Sequence, residues 1–204
     1  MIASRSLALT LALALATALA GPAAFAAGPP TNQLRSHIDR VLQILEDPAL
    51  RDPGKAVERR AAVRRVANEI FDFPETARRS LGPHWQARTA AERQEFVELF
   101  GDLLERSYIS RIELYGGERI QYVGDVVDGE QARVQSKLLT RAGTAVPIEY
   151  RMLRRGERWR VYDVVIEGVS LVASYRTQFN RIIRSSSYEE LVRKMKSRQD
   201  ELGA

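Results

Sequence analysis

The sequence predicts an α+β domain in which several helices pack on one face of a curved, four-stranded antiparallel sheet. Apolar residues recur at three-and-four spacing in the first half of the chain, alternate from residue 120 to residue 165, and return to helical spacing from residue 168. Because the runs of helices and strands stay separate, this order favours an α+β domain over alternating βαβ units. The length of 204 residues, with 45% apolar and 28% charged residues, is typical of one globular domain.

Two helices open the predicted domain. The first covers residues 30–45, carries one apolar stripe and ends at Asp47-Pro48. The second begins at Asp52, with Pro53 in its first turn, which is a common helix start. Its predicted inner side holds Val57, Val63, Val66, Ala67 and Ile70, and its outer side holds Arg59, Arg60, Arg64 and Arg65.

A short helix over residues 75–81 comes next, between Phe73-Pro74 and Gly82-Pro83. Thr89 and Glu92 then form a capping box, in which each side chain satisfies a free backbone N–H group of the other residue. The helix that this box opens is predicted to run to about Leu114, and it is the most strongly patterned helix of the chain. Its apolar positions are Phe96, Leu99, Phe100, Leu103, Leu104 and Tyr108.

Alternating apolar residues then predict four strands joined by hairpins. The turns are Val127-Asp128-Gly129, Ala142-Gly143 and Arg155-Gly156-Glu157, so the strands should form an antiparallel meander. The alternating positions, strand by strand, are Ile120, Tyr122 and Val126; Ala132, Val134, Ser136 and Leu138; Val146, Ile148, Tyr150 and Met152; and Trp159, Val161 and Val165.

Helices end the chain. Ser187 and Glu190 form a second capping box, which opens a last helix with Leu191, Val192 and Met195 on its inner side. The helix before it is predicted to begin at Gly168 with a broad apolar face of Val169, Leu171, Val172, Tyr175, Phe179, Ile182 and Ile183.

Residues 1–26 predict a cleaved secretory signal peptide. Arg5 precedes an apolar run over residues 7–20, and Ala24-Phe25-Ala26 forms a small-residue cleavage site. The alternative is an uncleaved anchor, but the run of about 14 residues is shorter than the roughly 20 that a spanning helix needs. Cleavage would leave a single soluble domain over residues 27–204 and lower the formal net charge from +5 to +4. For an exported protein, this charge points to anionic lipid head groups rather than to nucleic acid.

Few residues offer catalytic chemistry. The chain has no cysteine, which excludes disulfides, thiol catalysis and iron–sulfur clusters, and its only histidines are His37 and His84. Asp163 lies among apolar neighbours on a predicted strand, where a carboxylate could be a general base or could have a structural role, in which it pairs with an arginine or caps a neighbouring element. We therefore expect no enzyme activity, no cofactor and no metal.

Arginine makes up 27 of the 31 basic residues. Guanidinium groups bind phosphate bidentately, which suits a lipid head group. A GC-rich genome gives the same bias on any solvated helix face, so both interpretations stay open. Likewise, the broad apolar faces could fill one another or could enclose a cavity between sheet and helices.

Several motifs resemble the MlaC family of periplasmic phospholipid-binding proteins, also called toluene-tolerance proteins. They include Phe71-Asp-Phe73, the run Ala77-Arg-Arg-Ser-Leu-Gly82 followed by Trp85, and Thr-x-x-Glu-Arg-x-x-Phe-x-x-Leu-Phe from Thr89. The most specific run is Asp163-Val-Val-Ile-Glu-Gly-Val-Ser-Leu-Val172, which is followed by Tyr175-Arg-x-Gln-Phe179. The resemblance extends from about Gln33 to Leu202.

The resemblance implies a ketosteroid-isomerase-like cone with extra helices around an apolar cavity that holds the acyl chains of a phospholipid. It implies a monomeric periplasmic carrier that shuttles lipid between an inner-membrane ABC transporter complex and an outer-membrane lipoprotein complex, and so maintains outer-membrane asymmetry. No nucleic acid is expected as a partner. The predicted lining residues are Phe96, Phe100, Leu103, Tyr108, Tyr122, Ile148, Tyr150, Trp159, Val169, Val172 and Phe179.

The sequence leaves three alternatives open. The ligand could be a hopanoid or another isoprenoid lipid. The same cone could serve a small-molecule enzyme with Asp163 as its base. The protein could also be a lipid-free adaptor, in which case its core would be filled.

Overall fold

The computed structural model describes residues 28–113 and 115–200, and over these residues it is an α+β structure of six α-helices and an open five-stranded antiparallel sheet. The predicted signal peptide, residues 1–26, lies outside the described residues. None of the helices that the structure describes is both long enough and apolar enough to cross a membrane.

The helices and strands follow one another in the predicted order. The α-helices are α1 (Pro29–Glu46), α2 (Ala56–Ile70), α3 (Phe73–Leu81), α4 (Ala90–Glu113), α5 (Leu171–Ser185) and α6 (Tyr188–Asp200). The strands are β1 (Arg119–Asp128), β2 (Gln131–Leu139), β3 (Ala145–Arg155), β4 (Arg158–Ile166) and β5 (Val169–Ser170). Short 3-10 helices cover Pro48–Leu50, Pro53–Lys55 and Gly82–Trp85.

The predicted capping box of α4 is confirmed. The backbone N–H of Thr89 donates to Glu92 Oε2 at 2.7 Å, and the backbone N–H of Glu92 donates to Thr89 Oγ1 at 3.2 Å. In α6, the backbone N–H of Glu190 donates to Ser187 Oγ at 3.1 Å, while the Glu190 carboxylate pairs with Arg193. These caps satisfy backbone donors that have no partner inside the helix.

The predicted start of the second helix is wrong by four residues. Asp52 caps a 3-10 turn, since its Oδ1 accepts from the backbone N–H of Gly54 at 2.7 Å, and α2 begins only at Ala56. Val57 was predicted on the inner side, but it lies in the first turn with 79% of its surface exposed. Val63, Val66 and Ile70 are buried as predicted.

The strands form a meander in the order β1-β2-β3-β4-β5, so the prediction of four strands is corrected to five. The fifth strand has two residues, and Val169 pairs with Ile166 of β4. Val169 was predicted to begin the apolar face of the next helix, but it belongs to this strand and is 59% exposed. Helix α5 begins after Ser170, whose hydroxyl accepts from the backbone N–H of Ala173.

Two irregularities change which face a residue occupies. The β1–β2 register shifts between Tyr122 and Gly124, and the β3–β4 register shifts at Arg151/Met152. Because side chains alternate between faces, a one-residue slip reverses the faces beyond it. Val165 therefore lies on the face opposite Trp159 and Val161, whereas its spacing from them predicted a common face.

Within the described residues, buried apolar side chains form two clusters. Helices α1 and α2 pack on the sheet, where Leu34, Val66 and Ile70 meet residues of β2, β3 and β4. Helices α3, α4, α5 and α6 pack on one another around Phe96 and Phe100. Helices α3 and α5 also contact β4, which joins the helical cluster to the sheet.

Candidate functional site

One face of the sheet, called here the inner face, collects the apolar residues of four strands. Residues that pair directly across antiparallel strands share a face. The register pairs Ile120 with Leu138, Leu138 with Val146, and Tyr150 with both Val134 and Val164. The inner face therefore carries a continuous apolar surface from β1 to β4.

One end of the inner face, the closed end, is covered by helices. It consists of Ala132, Val134, Met152, Trp159 and Val161, each no more than 8% exposed. Leu34 of α1 and Val66 and Ile70 of α2 pack against these residues. The closed end is thus an ordinary core between helices and sheet.

The other end, the open end, is less well covered. Its residues lie nearest the α4–β1 loop and the β2–β3 hairpin, and all of them are only half-buried: Ile120, Leu138, Val146, Ile148 and Ile166. The structure therefore leaves a contiguous aliphatic surface partly accessible on the inner face. Partly accessible apolar surfaces of this kind commonly receive apolar ligands.

Tyr122 and Tyr150 lie between the two ends. Desolvation raises the pKa of Tyr150 to about 12, while a hydrogen bond with Ser136 acts in the opposite direction. Desolvation also raises the pKa of Tyr122 well above its usual range. The Tyr122 hydroxyl is buried without a hydrogen-bond partner, and the Arg35 guanidinium lies 4.7 Å from the centre of its ring. Two tyrosines thus place hydroxyl groups in a largely desolvated part of the inner face.

Helix α1 runs along the inner face from the closed end to the open end. Near its beginning, Gln33 Oε1 accepts from the backbone N–H of Trp159 at 2.8 Å. At its other end, burial and the nearby Glu46 carboxylate raise the pKa of Tyr115, which lies just before β1. The half-buried residues of its last two turns, Val41, Leu42, Ile44 and Leu45, extend the apolar surface toward the open end.

The helical cluster is filled by aromatic rings. The ring of Phe179 lies 5.6 Å from Phe96 and 5.2 Å from Phe100, both at steep angles. Tyr175 lies 5.0 Å from Phe100, and Tyr188 lies 6.3 Å from Phe96. Edge-to-face contacts at these distances are typical of a packed core.

The structure divides the predicted lining residues between several places. Ile148 lies at the open end of the inner face, Tyr122 and Tyr150 lie between its two ends, and Trp159 lies at its closed end. Val172 is buried in the first turn of α5, Val169 is exposed on β5, and Tyr108 is half-buried on α4. The remaining four belong to the helical cluster: Phe96, Phe100, Leu103 and Phe179. Contact of each with lipid stays a prediction.

The predicted lining set contains Ile148 but not the other residues of the open end. Ile120, Leu138, Val146 and Ile166 share its surface with Ile148. The alternation of apolar residues in β1, β2 and β3 was the available signal, since it places Ile120, Leu138 and Val146 on the face of Tyr122 and Ile148.

Asp163 supports the end of the sheet structurally. Its Oδ2 accepts from Ser170 Oγ at 2.7 Å and from Arg151 Nη1 at 3.2 Å, and its Oδ1 accepts from the backbone N–H of Val172 at 3.0 Å. It is 4% exposed. The structural interpretation, an arginine partner or a cap on a neighbouring element, is confirmed, since both contacts are present.

The histidines lie apart from each other. Burial lowers the pKa of His37, which lies 3.8 Å from Glu69 on α2. His84 Nε2 lies 2.9 Å from Asn180 Oδ1 on α5. Within residues 28–113 and 115–200, no three acidic or histidine side chains converge as metal ligands would.

A polar groove of about 420 Å³, called here the rim groove, borders the open end. It lies between the end of α1, the start of α2, the α4–β1 loop and the β2–β3 hairpin. Its lining residues are Leu45, Glu46, Arg51, Arg59, Tyr115, Gly116, Gly117 and Arg141. Three guanidinium groups and one carboxylate thus lie beside the accessible apolar surface.

Two curated proteins are similar to this chain. One is the intermembrane phospholipid transport system binding protein MlaC of Haemophilus influenzae, which is 26% identical over 120 residues, 56% of each chain. The other is the toluene tolerance protein ttg2D of Pseudomonas putida, which is 23% identical over 120 residues, 58% of this chain and 56% of the relative. The chain therefore aligns with little more than half the length of these relatives.

A solved structure is similar over a larger part of the chain. It is a phospholipid-binding protein from Ralstonia solanacearum in complex with a phospholipid, with a TM-score of 0.76 and 25% identity. The match covers 87% of this chain and all of that chain. The model of the family described as "MlaC protein" matches residues 35–197. With most of its length matched, the chain belongs to the MlaC family.

Proposed function

We propose that this protein is a periplasmic carrier that binds a phospholipid by its acyl chains and shuttles it between membrane complexes. The observation that carries the proposal is the likeness to a phospholipid-bound structure over 87% of this chain and the whole of that one. The names of the curated relatives, a phospholipid transport binding protein and a toluene tolerance protein, support the same role.

The open end of the inner face is the proposed site of the acyl chains. Its half-buried aliphatic residues, with Tyr122 and Tyr150 beside them, offer an apolar surface that α1 and α2 cover only in part. Buried apolar surface contributes about 25 cal/mol per Å², so a lipid chain is a favourable occupant. In this proposal the sheet and helices form the cone-like cavity that the family resemblance implies.

A carrier is physically necessary for such a ligand. Each methylene gains about 0.8 kcal/mol on leaving water, so two chains with about 15 buried methylenes each would cost about 24 kcal/mol to expose. Free diffusion through an aqueous compartment is then negligible. A protein surface of similar apolarity removes most of this cost without covalent chemistry.

The proposed role also implies a compartment, an oligomeric state and partners. The protein would be exported by its signal peptide and act as a monomer. Its partners would be an inner-membrane ABC lipid transporter complex and an outer-membrane lipoprotein complex. No enzyme activity is proposed, and the hydrogen bonds that Asp163 accepts from Ser170, Arg151 and Val172 support a structural role for its carboxylate.

Lipid extraction tests the proposal directly. The full chain is expressed with its own N-terminal segment, purified from the periplasmic fraction and extracted with organic solvent for mass spectrometry. We expect about one phospholipid per protein. If neither the purified protein nor protein incubated with phospholipid vesicles yields lipid, the proposal is wrong; a hopanoid or isoprenoid in the extract would replace the phospholipid as ligand.

A pair of tryptophan variants tests the location. Ile148→Trp adds bulk at the open end, so we expect lipid occupancy to fall severalfold. Val126→Trp adds the same bulk at an exposed position. Val126 pairs with Arg133, so both residues lie on the face of the sheet opposite the inner face. This variant should retain lipid, and equal occupancy in both variants would place the acyl chains elsewhere.

A further inference from the structure

The rim groove gathers positive charge from three separate parts of the chain. Arg51 follows the first 3-10 helix, Arg59 lies in α2, and Arg141 lies in the β2–β3 hairpin. The groove is also lined by Glu46. The carboxylate of Glu118 accepts from the backbone N–H of Gly116 at 2.8 Å and interacts with Arg141, so the three arginines outnumber the carboxylates near them by one. Guanidinium groups that converge in this way bind phosphate through paired, charge-assisted hydrogen bonds.

Two of these arginines lie close to the backbone of neighbouring segments. Arg59 Nη1 donates to the carbonyl oxygen of Leu50 at 2.8 Å, which fixes α2 beside Arg51. The Arg141 guanidinium lies against Gly116, where an added Cβ would come within 3.1 Å of its Cζ and Nη2. Glycine at position 116 therefore permits the close approach of Arg141 to the α4–β1 loop.

The groove also lies where the polar end of an amphiphile would emerge. Arg141 belongs to the hairpin that follows Leu138 and Leu139 of β2, and Gly116 and Gly117 come shortly before Ile120 of β1. Ile120 and Leu138 belong to the open end of the inner face. Apolar and cationic surfaces thus meet at one edge of the molecule, in the order that a phospholipid presents chains and phosphate.

We infer that the rim groove is a phosphate subsite, in which Arg51, Arg59 and Arg141 bind the phosphodiester of the lipid whose chains occupy the open end. The inference rests on the proposed function, which it extends from acyl-chain binding to head-group recognition. The chemistry recognised is the phosphodiester anion, so any glycerophospholipid qualifies and a lipid without phosphate does not.

A competition between two lipids tests the inference. Lipid-free protein is incubated with vesicles that contain phosphatidylglycerol and diacylglycerol of identical acyl chains, and the bound lipids are quantified by mass spectrometry. The wild-type protein should prefer phosphatidylglycerol. The double variant R51Q/R141Q should lose about tenfold in this preference, or about 1.4 kcal/mol, while its uptake of diacylglycerol stays unchanged.

The control removes the same charge elsewhere. R133Q/R181Q changes two exposed arginines, on β2 and α5, outside the rim groove, and should keep the wild-type preference. An unchanged preference in R51Q/R141Q, or an equal loss in the control, overturns the subsite and leaves the carrier standing. Uptake of neither lipid by wild-type protein would instead contradict the carrier itself.

Free phosphate is the other source of the same chemistry. If inorganic phosphate raises the melting temperature of lipid-free wild-type protein while R51Q/R141Q keeps its lipid preference, the groove binds free phosphate and the lipid assignment is wrong. If the double variant does not fold, R51Q and R141Q singly should each lose part of the preference, and full retention in both would overturn the inference.

Discussion

Glu75 is a nearly buried carboxylate that lies between two arginines in the first turns of α3. Arg78 Nη2 and Arg79 Nε both donate to its Oε1 at 2.6 Å, and Arg155 of β3 lies 3.8 Å from its other oxygen. The hydrogen bonds from Arg78, followed by those from Arg79, lower the pKa of Glu75 from 4.5 to about 2. The side chain thus depends on its negative charge to remain in place.

This pKa predicts a pH-dependent contribution to stability. Because the folded-state pKa lies below the unfolded-state value, the contribution is complete above pH 4.5 and is lost as the pH falls toward 2. Glu75→Gln should lower the free energy of unfolding at about pH 6, and the difference from wild type should shrink on acidification. Urea unfolding of both proteins from about pH 6 toward pH 2 measures this difference in free energy. A difference that does not change with pH would contradict the lowered pKa of Glu75.

For single residues, the role of a polar side chain was easier to predict than the face of the sheet on which an apolar one lies. For Asp163, a carboxylate among apolar neighbours, the sequence allowed a general base or a structural role. Its three hydrogen bonds confirm the structural role. Val165 was placed on the wrong face, because the register shift at Arg151/Met152 reverses the alternation. A bulge of this kind leaves no mark in the spacing of apolar residues.

At the element scale, helix α4 depends on the capping box at its beginning. Thr89→Ala removes the hydroxyl that accepts from the backbone N–H of Glu92. We expect a loss of about 1 kcal/mol in the free energy of unfolding, measured by chemical denaturation.

A second threonine provides the matched control. Thr177 is exposed on α5, and its hydroxyl donates to the carbonyl oxygen of Ala173 within the helix. Thr177→Ala removes no cap and should change stability by less than about 0.5 kcal/mol. Equal losses in the two variants would mean that the hydroxyl of Thr89 contributes nothing as a cap.

Most helices and strands could be predicted because their apolar residues repeat with a clear period over many residues. Helix α1 was predicted over residues 30–45 and covers Pro29–Glu46, and the four long strands follow the predicted hairpins. The start of α2 was misplaced because Asp52-Pro53 is equally good at opening a 3-10 turn. Strand β5 was missed because two residues have no periodicity.

At the scale of the whole molecule, bound lipid should stabilise the fold. A ligand that binds only the folded state at a hundred times its Kd contributes about 2.7 kcal/mol. For a chain of this size, removal of lipid should then lower the Tm by about 5–10 °C. Calorimetry of delipidated and reloaded protein measures the shift.

Ile148→Trp is the control for this measurement. If the lipid chains occupy the open end, reloading should raise the Tm of this variant less than that of the wild-type protein. A wild-type protein whose Tm is the same with and without lipid would show that lipid does not bind the folded state preferentially.

The candidate site could be predicted only in part. Alternation identifies which residues share the inner face, but it does not say which of them a helix covers; Ile148 and Met152 have the same spacing and very different burial. The rim groove combines residues from positions 45 to 141, so only the folded chain brings them together. A tertiary arrangement of this kind has no local signature.

The irregularity in β1 has a consequence for solubility at high concentration. Strand β1 is ten residues long and forms one edge of the sheet, a position that invites strand addition by another chain. The bulge between Tyr122 and Gly124 divides that edge into two short segments with different twist. Asp125, just beyond the bulge, accepts from the backbone N–H groups of Gly28 and Thr31 and fastens the start of α1 there. An incoming strand would find no uninterrupted row of backbone groups, so β1 resists the edge-to-edge aggregation that a regular ten-residue edge would promote.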